Sequence, residues 1–129
     1  MRMDLTSFFA VGIGAFLGAV LRWALGILLN PLFPTLPLGT LSANLLGGLL
    51  MGVAMALFMQ FDTLPPVARL FFTTGFLGGL TTFSTFSGET VTLLLRQQYA
   101  WTVAIVGVHL FGSLLMTVAG YSIVRAVLR

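Results

Sequence analysis

The residues with the richest chemistry in this chain fall in one string, TTGFLGGLTTFSTFS, from Thr73 to Ser87. It sets hydroxyls, glycines and phenyl rings in the middle of an apolar stretch. Phe83 and Phe86 are three residues apart, so on a helix they share a face. An aromatic ring is electropositive at its edge, and a small anion can rest against ring hydrogens in a dry passage. Paired aromatics on membrane helices more often pack or face lipid. The hydroxyls of Thr82, Ser84, Thr85 and Ser87 shift that balance. Hydroxyls can bond back to their own helix carbonyls, but four within six residues exceed that need.

Other polar residues stand alone in apolar runs. Asn44 lies between Leu41 and Leu57; its amide either donates to an anion or glues two helices together. His109, Ser113 and Thr117 recur every four residues and form one polar stripe, which either lines a path or marks a packing seam. Arg22 beside Trp23 has the ordinary explanation of a snorkelling cation with an interfacial aromatic, and a cation there would also draw anions to a vestibule. Glu89 is the one carboxylate inside an apolar span, three residues beyond Phe86. Intramembrane acids are functional suspects: it binds protons, pairs with an Arg, or lies outside any anion path.

Enzymatic chemistry lacks its parts. One His, no Cys and three scattered carboxylates give no triad, no metal cluster and no acid–base pair. Without Cys there is no disulfide framework from which to read a redox compartment. Of the 129 residues 58% are hydrophobic and 7% charged, whereas a soluble domain carries about 25% charged residues. The class that fits is a polytopic membrane protein. The net charge of +3, all from Arg, sits at segment ends and suits lipid headgroups rather than nucleic acid.

Four hydrophobic blocks must position these residues, and residues 1–129 read as a single transmembrane domain. The first span is expected at Leu5 to Leu29; its apolar run is too long for a signal-peptide core. Three prolines make residues 30–37 a loop. A second span follows from Gly39 to Met59, a third from Pro66 to Arg96, and a fourth from Ala100 to Val127. The third is too long for one straight helix: about thirty residues at ~1.5 Å each make ~45 Å against a hydrocarbon core of ~30 Å. Two half-helices meeting at a break near Gly75 to Thr82 account for the excess, and such breaks present free amides and carbonyls to ions. Gly14 with Gly18, and Gly48 with Gly52, are expected to allow close helix contact. With both termini on one side, Arg2, Arg69, Arg125 and Arg129 share that side while Arg96 lies opposite, a small excess favouring a cytoplasmic N-terminus.

Over nearly its full length the chain resembles the Fluc/CrcB family of fluoride channels. The resemblance is carried by Gly18 through Arg22-Trp23, by Gly39-Thr40-Leu41 leading to Asn44, by Glu89 and Gly112-Ser113, and above all by the string from Thr74 to Ser87. It implies an all-α dimer of two antiparallel copies inserted in opposite orientations, with two fluoride pathways. It further implies that Phe83 and Phe86 match the family's phenylalanine pair, Asn44 its pore asparagine and Ser113 a serine on the polar track. Arg22 matches the vestibule arginine. Backbone carbonyls of Gly78 and Thr81 match those that hold a central structural Na+ between subunits. No firm role attaches to His109.

The function expected on this basis is passive fluoride export from a prokaryotic cytoplasm across the inner (plasma) membrane. Fluoride is small and strongly hydrated, so its water must be replaced by compact donors. One rival is a small dual-topology, proton-coupled multidrug transporter, which calls for a carboxylate in the first span that is absent here. The other is a non-transporting assembly protein in which glycines and polar stripes only pack.

Overall fold

The computed structural model describes residues 3–129; Arg2, one of the cations used to assign topology, lies outside them. Helix α1 spans Leu5–Leu29 and starts on an Asp4 cap, whose carboxylate accepts from the Ser7 N–H at 2.8 Å. That backbone bond, aided by the Ser7 side chain, holds the Asp4 carboxyl below its ordinary range. Asn30–Leu32 forms a single 3₁₀ turn, and α2 follows over Leu38–Gln60. Pro37 precedes α2 and has no side-chain acceptor to offer. Asn30 substitutes from the previous turn, its Oδ1 accepting from the N–H groups of Gly39 (2.7 Å) and Thr40 (3.2 Å).

The third segment is in two pieces. Helix α3 runs over residues 66–80, with a π-helical stretch at Leu70–Leu77, and α4 over Phe83–Leu95. Helix α5 spans Tyr99–Val127. Every described element is helical. Three helices are long and apolar enough to cross a membrane: α1, α2 and α5. The third segment escapes that criterion because neither half is long enough alone.

The break falls at Thr81 and Thr82, both in extended conformation (φ −86°, ψ 155° and φ −146°, ψ 117°). This narrows the sequence expectation and corrects its cause. Gly75, Gly78 and Gly79 are helical, and two of the three serve packing. A methyl on Gly75 would press on Val11 O at 2.9 Å, and one on Gly79 would collide with Ala15 O. Gly14 and Gly18 on α1 answer them, abutting the carbonyls of Phe71 and Phe76. Helices α2 and α5 meet in the same manner: Gly48 lies where a methyl would sit 2.7 Å from Ser113 O, Gly52 faces Thr117 O, and Gly120 faces Leu49 O. Small residues thus bring backbones together in both pairs.

Two small apolar clusters join the pairs. Ala43, Leu77 and Leu80 form one; Leu36, Leu93 and Ile105, with Phe86 against them, form the other. Much apolar surface remains outside: Leu95, Val103 and Leu115 are among many large side chains on the exterior, as suits a chain that faces acyl tails.

Candidate functional site

At the break, Thr82 gives up its helical partners and Asn44 replaces them. The Thr82 N–H donates to Asn44 Oδ1 at 2.8 Å, and Asn44 Nδ2 donates back to the Thr82 carbonyl at 3.1 Å. One side-chain amide therefore satisfies both polar groups of a buried peptide position, which would otherwise cost about 1–3 kcal/mol each. The second Nδ2 hydrogen faces His109 Nδ1 at 3.0 Å. Thr82 also caps α4, its Oγ1 accepting from the Thr85 N–H at 3.0 Å with Ser84 Oγ 3.3 Å away.

These substitutions release carbonyls. In an unbroken helix the Thr82 N–H would close onto Gly78 O and the Thr85 N–H onto Thr81 O; both donors are instead taken by side chains. Gly79 O is met by Arg22 Nε at 3.1 Å, which ties the far end of α1 to the break. Among the described residues no group of three or more His, Asp or Glu side chains gathers; the carbonyls of Gly78 and Thr81, whose helical donors are taken by side chains, are candidate oxygens for a cation.

Beside the break, Phe83 and Phe86 lie edge to face, ring centroids 5.5 Å apart at 68°. Phe83 is 79% exposed, while Phe86 is half-buried against the imidazole of His109 at 4.7 Å. A cavity of about 460 Å³ is lined by Asn44, Thr82, Phe83, Phe86, His109 and Ser113, among others. A second, of about 280 Å³, is lined by Arg22, Asn30, Thr40, Thr82 and Thr85. Thr82 belongs to both, so the break stands between a cavity that carries Arg22 and one lined by phenyl rings.

Asn44, Thr82, Phe83, Phe86 and Ser113, expected from sequence along the ion path, thus share one cavity with His109 and Thr117, and Thr85 joins Arg22 in the other. Ser84 is exposed and reaches only the Thr82 hydroxyl. Within the polar stripe of α5, Thr117 behaves as a seam: its hydroxyl faces both Gly48 O (2.9 Å) and Ser113 O (3.0 Å). Asn44 is fully engaged in this arrangement, with neither amide hydrogen free for an ion. Among the described residues Glu89 pairs with no arginine; its Oε2 accepts from the Thr40 hydroxyl at 2.6 Å, and its Oε1 is buried without a partner. Sequence reasoning used Thr40 only as part of the family resemblance and gave it no role at the site. Its signal was spacing, four residues before Asn44 on the same face of an apolar helix.

A family model described as CrcB-like protein, Camphor Resistance (CrcB), matches residues 9–121. The chain is 64% identical over 123 residues to a protein of Nitrosospira multiformis named fluoride-specific ion channel FluC, covering 95% of this chain and 96% of that relative. A protein of the same name from Aromatoleum aromaticum is 57% identical over 119 residues, covering 92% and 91%. One from Chromobacterium violaceum is 58% identical over 114 residues, covering 88% and 90%.

Proposed function

This chain belongs to the CrcB family, and on that premise we propose how it moves its ion. It is a multi-pass membrane protein and a fluoride channel, not an enzyme. In our reading it sits in the inner membrane of a prokaryote and lets fluoride leave the cytoplasm down its gradient. The observation that carries the mechanism is the broken third segment, with a phenyl pair and hydroxyls gathered where the backbone stops being helical.

The proposed route begins at the vestibule, where Arg22 raises local anion concentration without lining the chamber itself. Thr82, Ser84 and Thr85 exchange hydration water for hydroxyl donors. Phe83 and Phe86 then offer ring edges, and Ser113 continues the path on α5. Asn44 takes part as a bracket: it fixes Thr82 so that the hydroxyls and rings keep their positions. A chain of mild partners suits conduction, since an ion held by a fixed charge would not leave.

One protomer leaves Phe83 exposed and the aromatic chamber open to one side, which favours a second copy of the chain closing it in antiparallel orientation. The released carbonyls of Gly78 and Thr81 fit a Na+ shared between two such breaks. Hard oxygen donors suit that cation, which would supply the positive charge that backbone oxygens lack at a buried contact.

Reconstitution in liposomes tests this function. A fluoride electrode should record rapid efflux that needs no pH gradient, with chloride efflux at least a hundredfold slower. Efflux that appears only when protons are driven across the membrane would overturn the passive channel.

A further inference from the structure

At the end of the protomer where α1 starts, α2 stops and α3 begins, the three helices enclose a third cavity, of about 700 Å³. Ala10 of α1, Leu57 and Phe58 of α2, and Phe71 and Phe72 of α3 line it, and apart from Thr6 its walls are apolar among the described residues. It shares no lining residue with the two cavities at the break. Its size lies within the range of ~300–1,000 Å³ usual for ligand sites. Elsewhere these helices meet backbone to backbone through glycine, so the space is local and not a general looseness of the fold.

A cation stands at the rim. The half-buried Arg69 holds its guanidinium 5.1 Å from the centre of the Phe58 ring, which is itself part of the cavity wall. One of its N–H groups reaches Phe58 O at 3.4 Å, and no other hydrogen bond or ion pair engages the side chain among the described residues. A guanidinium carries five N–H donors in a planar fork that matches a phosphate. The acids at this end do not answer it: Asp4 caps Ser7, and Asp62 lies exposed in the turn before Pro65. Phe58 belongs to the last turn of α2 and Arg69 to the first turn of α3. The charge therefore sits at the level where acyl chains give way to headgroups.

We propose that this cavity binds an anionic glycerophospholipid, with one acyl chain between α1, α2 and α3 and the phosphate on Arg69. The apolar wall takes the hydrocarbon, and the guanidinium takes the charge. Basic pockets between membrane helices are a recurrent setting for such headgroups. A second copy of the chain fits this face less well. The face left open to a partner lies at the break, lined by other residues. An antiparallel copy would also bring up the end that carries Arg96, a like charge. The lipid fills space that side chains leave and holds three helix ends at one spacing, away from the ion route.

Native mass spectrometry of the full-length protein released from detergent tests this, with phosphatidylglycerol and phosphatidylcholine of identical acyl chains as the probes. Phosphatidylglycerol should bind saturably, one molecule per protomer, and about fivefold or more tighter than phosphatidylcholine. Arg69→Gln should hold the two lipids equally. Ala68→Trp leaves the cation in place and fills the cavity from an exposed position on its wall, so it should weaken retention of both lipids by about fivefold or more. Equal retention of the two lipids by the unmodified chain, or uptake that never saturates, would overturn the proposal. So would undiminished phosphatidylglycerol binding by either variant. The chain has no cysteine, so Ala68→Cys supplies its single thiol. In bilayers of both lipids, a photoreactive maleimide on that thiol should capture lipid; capture of a second copy instead would give this face to a protein contact and refute the lipid site.

Discussion

Asn44 shows how much a single amide can organise in an apolar interior. Its two ends answer the two halves of the Thr82 backbone, and its spare hydrogen orients His109. Asn44→Asp keeps the shape but presents oxygen to Thr82 O and to His109 Nδ1. It should lower unfolding stability by about 1–3 kcal/mol, read as an earlier thermal transition in detergent, and should abolish fluoride efflux. Phe83 is the opposite case. Its ring is largely outside the protomer and leans only on Phe86 among the aromatics, so Phe83→Ile should change protomer stability by no more than about 0.5 kcal/mol. Fluoride efflux should nonetheless fall tenfold or more, because a branched aliphatic group has no electropositive edge. Equal throughput in the two proteins would remove the ring-edge contribution.

Among the helices, the ends are set by residues that do not all follow the commonest choices. Helix α4 stops with Gln97 in the left-handed region (φ 58°), the Gln98 N–H reaching Leu93 O and the Gln97 N–H reaching Leu94 O, each at 3.0 Å. Glycine adopts that conformation without the penalty of a side chain, so Gln97→Gly should stabilise the protein by about 1 kcal/mol with efflux unchanged. The limits of α1, α2 and α5 were legible in the sequence to within a residue, because proline clusters and long apolar runs mark them without help from tertiary contacts. The place of the break was legible only as a window. Glycines suggested it, yet glycine next to a neighbouring backbone is a packing device, as Gly75 and Gly79 are against α1. What breaks the segment is a contact with a residue 38 positions away, and no local pattern encodes that. Phe83, Phe86, Asn44 and Ser113, singled out by residue type, do share a cavity. The bond from Thr40 to Glu89 and the tie from Asn44 to His109 depend on how α2, α4 and α5 turn toward one another, which spacing along one helix does not give.

For the molecule as a whole, the backbone-to-backbone contacts of α1 with α3 and of α2 with α5 leave little room for adjustment inside a protomer, and the open face lies at the break. Gly78 marks that face. A methyl there meets nothing closer than Thr73 O at 3.8 Å, so Gly78→Ala should fold and remain helical like the unmodified chain. Gly78→Lys sets a long cation beside the released carbonyls and should reduce both dimer content and efflux at least tenfold, measured by light scattering in detergent and by fluoride electrode. Full activity in the Lys variant would remove the proposed shared cation site from Gly78. The distance in sequence between Asn44 and its two partners also imposes a timetable on biogenesis. A chain made from its N-terminus delivers α2 to the bilayer before Thr82 leaves the ribosome, so the amide is waiting when the third segment arrives. His109 emerges last, and until it does one Asn44 hydrogen has no taker. A nascent chain arrested before α5 should therefore already hold its bend.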